Sequence, residues 1–577
     1  MHPDFVSHVR AQVADHGNAR HYVYLREVAR NLIEDRHSYA DLDRQAREIA
    51  VWLAEQPASK HPVLLLFKDG IDFLPAFLGC LYAGVIAVPA PVPHDQRSVA
   101  RVAAIMRDAD ARLVLTGSEI QPFLQSAVGD SVRCVATDGA ALADAQTWVM
   151  PQLDSAAVAF LQYTSGSTSA PKGVMVTHRN LLHNIATIRA AVGAADMRMC
   201  AGWLPHFHDM GLIGMMLLPL FTGFNLAFMS PLTFLKRPHR WLTMIDRYRA
   251  DITVAPDFAY DLVARRVTDE QLSGVDLSSV RVALNAAEPI RPRTLAAFAH
   301  RLTPVGLRPG ALLTAYGMAE ATLLATASEP GAGPILRTVD PVALEANRFV
   351  AARGGRTLVS SGRPAGVEIR IVDPTNGKPL EDGHVGEIWM RGPSVAAGYW
   401  NRPAETAETF GARIDGDGPY LRTGDLGVCV DGEIFVTGRL KDLLIINGRN
   451  IYPQDIEEVV RESHPALRDA TGVVLAVEAA GQERVVVVHE LKTELLPALD
   501  VAALARQLKS TVARSFDIAA PSVVFVGRRR VHRTTSGKVQ RRSMLAAFLA
   551  NELDCLHEEI DPIVQRLRHQ SPTYVHA

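Results

Sequence analysis

The sequence lacks the features typical of membrane, secreted or nucleic-acid-binding proteins. No apolar run is long enough to span a membrane, and residues 212–228 are interrupted by glycine, proline and asparagine. The 60 Lys and Arg residues nearly balance the 62 Asp and Glu residues, so no broad basic surface for nucleic acid is expected. The first residues show no basic region followed by an apolar core, as a secretory signal would. We therefore expect a cytoplasmic protein without a membrane span.

Cysteine is also scarce, and its pattern excludes two common uses. An odd number of scattered cysteines argues against a disulfide framework, and their spacing does not match a zinc site. We expect small core residues in a reducing compartment. The five positions are Cys80, Cys134, Cys200, Cys429 and Cys555.

The length of 577 residues is too great for one compact core, so two or more domains are expected. Short apolar strands at residues 63–67, 85–89 and 112–116 alternate with predicted helices. This alternation predicts parallel sheets that are covered by helices on both faces.

The most informative stretch is residues 160–178, where two apolar strands flank a loop of small and hydroxylated residues. Such a loop has no bulky side chains, so its N–H groups and hydroxyls can converge on phosphate oxygens, and Lys172 adds a compact charge. The standard P-loop pattern fails, because Pro171 and Gly173 stand where glycine and a hydroxyl residue should be. A surface linker is the alternative. The candidate phosphate-binding residues are Thr164, Ser165, Gly166, Ser167, Thr168 and Lys172.

The motif Tyr-Thr-Ser-Gly-Ser-Thr followed by Pro-Lys-Gly, within residues 163–173, resembles the adenylate-forming superfamily. This superfamily includes acyl-CoA ligases, peptide synthetase adenylation domains, luciferases and fatty-acyl-AMP ligases. The resemblance implies an α/β fold: a large N-terminal domain of αβα-layered sheets with a small distorted β-barrel, and a smaller mobile α+β C-terminal domain. It implies an adenylation domain at residues 1–440 and a lid at residues 441–577, with ATP and Mg²⁺ as cofactors.

Residues 203–214 contain His206, His208 and Asp209 before a predicted helix that begins at Met210. These polar residues could bind a metal, although no further ligand is placed nearby, or they could cap the helix. The superfamily has a histidine beside the acyl carboxylate and the α-phosphate, and His208 matches it. The apolar residues 210–228 could line an acyl tunnel or belong to the core.

Two strand ends are candidates for the adenine pocket. Small residues at the carboxyl end of a strand leave room for a flat ligand in an open α/β sheet, although ordinary strand-to-turn junctions look similar. The resemblance implies that both segments line the nucleotide and that Tyr316 stacks on adenine. The residues are Asn285, Ala286, Ala287, Glu288, Ala315, Tyr316, Gly317, Met318 and Ala319.

Glu320 follows directly and could bind a magnesium ion on the triphosphate, or simply favour a helix N-terminus. Many superfamily members have threonine before this glutamate, whereas Ala319 resembles fatty-acyl-AMP ligases in particular. Roughly 40 residues separate Glu320 from Ser361, which is long for a connection in a compact domain. Within them, residues 338–350 predict a short helix and strand. They resemble the extra motif of fatty-acyl-AMP ligases that restricts the CoA-forming geometry, with surface decoration as the alternative.

The later motifs complete the resemblance. Asp425 lies on a glycine-flanked loop, where a carboxylate can accept both ribose hydroxyls. The resemblance implies that Arg439 reaches the ribose, that Lys441 is the hinge, and that Lys538 in Thr-x-x-Gly-Lys-x-x-Arg is the catalytic lysine. Each side chain alone could be an inert surface group, but their order behind the phosphate loop favours function.

Together the motifs predict that a carboxylate attacks the α-phosphate of ATP, releases pyrophosphate and leaves acyl-AMP. Such chemistry depends on positioning and charge neutralisation, with Lys538 between the two anions. The resemblance to fatty-acyl-AMP ligases implies that the substrate is a medium- or long-chain fatty acid. The expected acceptor is the phosphopantetheine thiol of an acyl carrier protein in trans, within a polyketide or peptide synthase system. An acyl-CoA ligase and a non-catalytic nucleotide-binding protein are the alternatives.

A basic cluster on the predicted small domain could steer an acidic carrier protein, although most charge runs are only solvated faces. Its members are Arg528, Arg529, Arg530, Arg533, Arg541 and Arg542.

Overall fold

The computed structural model describes residues 2–29, 31–129, 132–163, 171–446, 449–468, 470–479, 482–533 and 539–570. The predicted phosphate-loop residues Thr164, Ser165, Gly166, Ser167 and Thr168, and the predicted catalytic Lys538, lie outside these ranges.

The described strands, in chain order, are β1 His21–Val28, β2 Asn31–Ser38, β3 Val63–Leu66, β4 Ala87–Ala90, β5 Leu113–Thr116, β6 Arg133–Ala136, β7 Val158–Tyr163, β8 Gly173–Thr177, β9 Met199–Gly202, β10 Asn225–Met229, β11 Ile252–Pro256, β12 Val282–Ala286, β13 Leu312–Gly317, β14 Leu324–Ala327, β15 Leu336–Val339, β16 Arg356–Val359, β17 Arg363–Pro364, β18 Glu368–Val372, β19 Gly386–Arg391, β20 Ala412–Ile414, β21 Asp417–Val430, β22 Glu433–Arg439, β23 Leu444–Ile446, β24 Arg449–Ile451, β25 Gly472–Ala479, β26 Gln482–Leu491, β27 Ser522–Gly527 and β28 Cys555–Glu559.

The described α-helices are α1 Phe5–His16, α2 Tyr39–Ala54, α3 Phe73–Tyr82, α4 Gln96–Ala109, α5 Gln121–Val128, α6 His178–Ala191, α7 Leu218–Thr222, α8 Pro231–Lys236, α9 His239–Tyr248, α10 Asp257–Arg266, α11 Asp269–Leu272, α12 Pro292–Leu302, α13 Pro341–Glu345, α14 Pro403–Phe410, α15 Pro453–Ser463, α16 Pro465–Arg468, α17 Val501–Phe516, α18 Arg541–Leu549 and α19 Pro562–Gln570. A π-helix spans Met210–Leu217 directly before α7.

Two large, mostly parallel sheets form the centre of the molecule. One has nine strands in the order β17-β14-β13-β12-β11-β9-β10-β1-β2, and the other has six in the order β6-β5-β3-β4-β7-β8. Neighbours from β13 to β1 are parallel, as are those from β6 to β4. Strands β3, β4 and β5 are buried at every position, as strands covered on both faces should be.

Local sequence signals account for the first turns of helices α2 and α6. Ser38 and Asp41 cap α2 reciprocally, and Thr177 and Asn180 do the same for α6. The buried face of α2 repeats with helical spacing, which packs the helix onto α3.

An antiparallel sheet of five strands follows, in the order β18-β19-β21-β20, with β22 also paired to β21. The hairpin β15–β16 packs against it through a shared apolar cluster that includes Val339, Leu344, Leu358, Val428 and Phe435. This sheet, together with the hairpin β15–β16, corresponds to the small distorted β-barrel that the resemblance implies. Within residues 338–350 the predicted helix is α13, while β15 ends at Val339, before that helix.

The C-terminal part contains a four-stranded sheet, β25-β26-β27-β28, with helices on both faces. Alternate residues of its strands point to opposite sides: Val474, Val487 and Phe525 pack with α15 and α17. Val473 and Val486 pack on the other side with α18 and α19. The period of two is that of a sheet buried on both faces. The predicted α/β class, with a large N-terminal and a small α+β C-terminal part, is confirmed.

Two further expectations concern the whole chain. Within the described residues, no helix combines the length and apolar character needed to cross a bilayer. The five cysteines all lie in described residues and are free thiols, of which Cys80, Cys134 and Cys200 are buried.

Candidate active site

A cleft of about 1240 Å³ lies where the two large sheets, the antiparallel sheet and the C-terminal part meet. The carboxyl ends of β12 and β13, which are parallel neighbours, open onto it, as expected for a ligand site in an open α/β sheet. Nearly all described candidates line it. They are Lys172, His208, Ala286, Ala287, Glu288, Ala315, Tyr316, Gly317, Met318, Ala319, Glu320, Asp425, Arg439 and Lys441.

Asn285 is the described candidate whose side chain does not line this cleft. It is fully buried, and its amide nitrogen donates a 3.1 Å hydrogen bond to Asp257 Oδ1. Asp257 also accepts hydrogen bonds from the Thr294 hydroxyl and from the backbone of Arg291. Asn285 therefore supports the wall behind the predicted adenine pocket, and its neighbours Ala286 and Ala287 form the surface.

The carboxylate of Asp425 is held by two side chains. Arg439 Nε donates to Oδ1 at 2.7 Å, and the Tyr316 hydroxyl donates to Oδ2 at 2.7 Å. Asp425 and Arg439 are direct partners across β21 and β22, so the sheet register fixes this pair. The Asp425 charge raises the pKa of Arg439, and burial together with Asp425 raises the pKa of Tyr316 well above its ordinary value. These two donors hold the Asp425 carboxylate in one orientation.

Glu320 occupies the short turn that follows β13. Its Oε1 accepts a 2.9 Å hydrogen bond from the Tyr399 hydroxyl, and burial raises the pKa of its carboxyl. The turn depends on Gly317, because a Cβ atom there would lie 1.7 Å from the carbonyl oxygen of Leu323. Glycine at this position allows the chain to turn back and place Glu320 in the cleft.

Lys172 enters the cleft from the opposite side. Its ammonium forms an ion pair with Glu405 and lies 5.2 Å from the centre of the Tyr399 ring. An anion and an aromatic face both attract an ammonium, so Lys172 is held at a defined position. Tyr399 thus touches both Lys172 and Glu320.

Residues 396–402, here called the strap, connect these two charged groups. The backbone N–H of Trp400 donates to the Gly173 carbonyl at 2.8 Å, and Met175 donates to Gly398 at 2.9 Å. Arg402 donates to the Pro171 carbonyl at 3.3 Å and forms a 2.7 Å ion pair with Asp108. The sequence interpretation missed the strap. The only available signal was its tyrosine within a run of small and glycine residues.

The structure separates the three polar residues before the π-helix. His208 lines the cleft, with Nδ1 2.6 Å from Asp209 Oδ1. Asp209 caps the helix by accepting a 2.7 Å hydrogen bond from the Met210 N–H. His206 lies in the core against the Phe73 ring, where burial lowers its pKa to about 3. Helix capping is therefore confirmed at Asp209, while a ligand contact at His208 stays a prediction that its position in the cleft allows.

One arm of the cleft is apolar. Met210, Gly214 and Leu218 contribute to it at helical spacing, whereas Leu212 and Leu217 of the same segment are core residues. The segment 210–228 therefore contributes residues both to the cleft and to the core, and an acyl tunnel stays a prediction. Further apolar lining comes from Ile188, Val192, Ile252, Val254 and Leu323.

The C-terminal part closes the other end of the cleft. Arg533 and Val539, the residues on either side of 534–538, both line it. Arg541 forms an ion pair with Glu457 and donates to the Val474 carbonyl at 3.1 Å, so the start of α18 is anchored to α15 and β25. Lys441 lies at the junction, where burial lowers the pKa of its ammonium.

Segment 338–350 contacts the chain just beyond Lys441. Arg449 Nε forms a 2.8 Å ion pair with Glu345, and the Asn450 amide donates to the Glu345 carbonyl at 3.1 Å. The hairpin β23–β24, which carries both partners, was not predicted from the sequence. These contacts attach the inserted segment to the start of the C-terminal part.

The described residues contain no cluster of three or more His, Cys, Asp or Glu side chains that could hold a metal alone. Magnesium in nucleotide sites is commonly bound by one or two carboxylates plus substrate phosphates. Glu320, half-buried and facing Lys172 across Tyr399, fits this requirement.

Comparison with known proteins agrees with this geometry. A sequence model described as AMP-binding enzyme matches residues 9–400, and one described as Disco-interacting protein 2-like, AMP domain, matches residues 441–558.

Individual relatives match over most of their length. The medium-chain-fatty-acid–[acyl-carrier-protein] ligase JamA of Moorena producens is 42% identical over 535 residues, covering 90% of each chain. The long-chain-fatty-acid–AMP ligase FadD23 of Mycobacterium tuberculosis is 35% identical over 549 residues, covering 90% of this chain and 92% of the relative. The crystal structure of a fatty acyl-adenylate ligase from L. pneumophila, in complex with acyl adenylate and pyrophosphate, superposes with a TM-score of 0.75 at 35% identity, covering 97% and 98% of the two chains.

Proposed function

This chain belongs to the AMP-binding enzyme family, and we propose that it activates a fatty acid with ATP and passes the acyl group to a carrier-protein thiol. The predicted membership of the adenylate-forming superfamily is confirmed. The first step would join a fatty-acid carboxylate to the α-phosphate, releasing pyrophosphate and leaving acyl-AMP. The second would form a thioester with phosphopantetheine and release AMP.

The observation that carries this proposal is one cleft with a polar and an apolar part. Lys172, Glu320 and Asp425 supply the charged groups for a nucleotide. The arm lined by Met210 and Leu218 offers an apolar surface for an acyl chain. A nucleotide alone would need no such arm, so the combined shape supports an acyl adenylate.

Each polar residue has a proposed task. Asp425 and Arg439 would bind the ribose, with Tyr316 beside the adenine and Ala286 to Glu288 along its pocket. Lys172 would bind phosphates together with residues 164–168, which lie outside the described residues. His208 would lie beside the carboxylate and the α-phosphate. Their shared cleft supports these tasks for the described residues.

Magnesium is proposed as the second cofactor, and Glu320 is the residue that would hold it. The ion would neutralise charge on the triphosphate while pyrophosphate leaves. Lys538 would place its ammonium between the fatty-acid carboxylate and the α-phosphate. Its sequence neighbours Arg533 and Val539 line the cleft, which supports this placement.

The choice of a carrier protein as acceptor rests on the inserted segment and on relatives. Glu345 ties this segment to Arg449, beyond the proposed hinge Lys441, and such a tether would restrict the rotation needed to admit CoA. JamA is a relative whose name specifies an acyl-carrier-protein acceptor. We propose residues 1–440 as the adenylation domain, residues 441–577 as the lid, and the cytoplasm as the compartment.

Product analysis by mass spectrometry tests this function. The protein should be incubated with ATP, Mg²⁺ and saturated fatty acids of increasing length, and then with holo carrier protein or CoA. We expect acyl-AMP for medium or long chains and a thioester on the carrier. Efficient acyl-CoA formation would instead identify an acyl-CoA ligase, and nucleotide binding without any acyl-AMP would identify a non-catalytic protein.

A further inference from the structure

Tyr399 lies between the two charged groups that face the proposed triphosphate position. Its hydroxyl donates to Glu320 Oε1 at 2.9 Å, and its ring centre lies 5.2 Å from Lys172 Nζ. A single side chain therefore contacts a carboxylate through its polar end and an ammonium through its aromatic face. Among the described residues, Tyr399 alone contacts the side chains of both Glu320 and Lys172.

The position of Tyr399 is itself firmly determined. Its side chain is 7% exposed, and its ring packs edge-on against Phe410 with centres 5.2 Å apart. Its N–H donates to the Thr406 hydroxyl at 2.9 Å, and Val174 of β8 pairs with its backbone. The Ala396 N–H, at the start of the strap, donates to the Glu320 carbonyl at 2.9 Å. The strap is thus bonded both to the strand after Lys172 and to the turn that carries Glu320.

We propose that Tyr399 is a positioning residue that holds Glu320 and Lys172 at the separation required to bind the metal-complexed triphosphate. This inference rests on the proposed function, because it concerns the same nucleotide site. The hydroxyl fixes the orientation of the Glu320 carboxylate, which would hold the metal. The ring face, together with the ion pair to Glu405, holds the Lys172 ammonium near its place.

Two substitutions separate the two contacts. Tyr399→Phe removes the hydrogen bond to Glu320 and keeps the ring beside Lys172 and Phe410. Tyr399→Leu removes both contacts. Tyr420→Phe is the matched control, since the Tyr420 hydroxyl also donates to a glutamate, Glu368 at 3.1 Å, and Tyr420 does not line the cleft.

The first measurement is ATP binding by isothermal titration calorimetry, without fatty acid, at several Mg²⁺ concentrations. Hydrogen bonds to charged groups contribute enough that losing one should weaken Mg²⁺-dependent ATP binding by about tenfold in Tyr399→Phe. Binding without Mg²⁺ should change by less than about twofold in that variant. Tyr399→Leu should weaken ATP binding in both conditions, and Tyr420→Phe should match the wild type.

A double-mutant cycle with Glu320→Ala distinguishes loss of the Tyr399–Glu320 hydrogen bond from a general disturbance of the structure. In the Glu320→Ala background, Tyr399→Phe should cause no further loss of Mg²⁺-dependent binding, since its partner is gone. An equal loss in both backgrounds, or an unchanged Mg²⁺ dependence in Tyr399→Phe alone, would overturn the inference. Because this readout needs no acyl substrate, a wild-type protein that binds Mg²⁺ and ATP but forms no acyl-AMP would refute only the proposed function.

Discussion

Asp425 and Arg439 face each other across two neighbouring strands, with Oδ1 and Nε 2.7 Å apart. The second carboxylate oxygen accepts a hydrogen bond from the Tyr316 hydroxyl. Each carboxylate oxygen has more than one lone pair, so both can still accept hydrogen bonds from a ribose. The two protein partners fix the orientation of the carboxylate before any ligand arrives.

Replacing Asp425 should therefore weaken nucleotide binding more than it weakens the fold. Asp425→Ala removes the acceptor of two ribose hydroxyls, and charge-assisted hydrogen bonds of this kind are worth about 1.5–3 kcal/mol. We expect KM for ATP to rise by roughly tenfold or more, measured by pyrophosphate release. Asp417→Ala is the control, because Asp417 pairs with Arg391 on an exposed edge. An unchanged KM in Asp425→Ala would make Asp425 only a structural partner of Arg439.

Lys538→Ala should abolish most acyl-AMP formation while ATP binding stays close to that of the wild type. The expected role concerns charge at the reacting centre, and the adenine and ribose candidates lie far away in sequence. Lys538→Arg should rescue poorly, because a planar guanidinium cannot place one compact charge between two anions. Lys509→Ala, at a surface ion pair with Glu559, is the control. Wild-type acyl-AMP formation in Lys538→Ala would contradict the role.

Much of the fold could be predicted from short-range signals. The caps of α2 and α6 are encoded within a few residues, and the predicted apolar strand before the loop is confirmed as β7. The motif from Tyr163 to Gly173 led to the superfamily, and with it to candidates of which nearly all that lie in described residues line one cleft.

The contacts that the sequence could not reveal join distant residues. Tyr399 meets Glu320 over a separation of 79 residues, and Arg449 meets Glu345 over 104. Neither pair has a local pattern, since each forms only after separate sheets pack. At Asn285 the strand itself could be predicted from the local sequence. The direction of the Asn285 side chain, into the core and away from the cleft, could not. That direction depends on Asp257, on the neighbouring strand–helix junction.

Loosening the inserted segment should increase acyl transfer to CoA. Deleting residues 338–350 is the direct test of this expectation, but it would also remove the buried Val339 and Leu344 from a core cluster. Glu345→Gln is milder, because it weakens the ion pair with Arg449 and leaves that core intact. We expect a small gain of acyl-CoA, measured by mass, with unchanged acyl-AMP formation. Glu381→Gln, at an exposed turn, is the control. If neither variant forms more acyl-CoA, the inserted segment does not select the acceptor.

Buried neutral histidines should make the fold sensitive to mild acid. Burial lowers the pKa of His206 to about 3, whereas an unfolded histidine titrates near its ordinary value of 6.5. The unfolded chain therefore binds the proton first, so stability falls as the pH drops below about 6.5 and keeps falling until the folded pKa is reached. Between pH 7 and 5 this histidine should cost about 2 kcal/mol.

His206→Leu should remove that part of the pH dependence. The free energy of unfolding would be measured in urea at pH 7 and pH 5, and the difference between the two compared with the wild type. Taking the difference cancels any constant destabilisation by the substitution. His94→Leu, at an exposed side chain, is the control. The same pH dependence in His206→Leu and the wild type would show that other groups cause the acid sensitivity.

The last prediction concerns the basic cluster on the C-terminal part. Two members of this cluster have acidic partners within the protein: Arg541 forms an ion pair with Glu457, and Arg530 lies 3.0 Å from Asp554. The other four members of the cluster, Arg528, Arg529, Arg533 and Arg542, are exposed, and we propose that they steer an acidic carrier protein. Steering by exposed charges weakens with salt, since the Debye length falls from about 10 Å at 0.1 M to about 3 Å at 1 M.

Arg528→Glu should therefore slow acyl transfer from bound acyl-AMP to holo carrier protein severalfold at low salt, and have little effect at high salt. Arg112→Glu, an exposed arginine of the N-terminal part, is the control for a general charge effect. The measurement is the rate of thioester formation on the carrier, with CoA as a second acceptor in parallel. If the wild-type rate does not depend on salt, the basic cluster is not part of the surface that binds the carrier protein. The carrier protein itself would still be the proposed acceptor. Efficient transfer to CoA by the wild-type protein would reject the carrier protein as its specific acceptor, because the tether between Glu345 and Arg449 would then fail to exclude CoA.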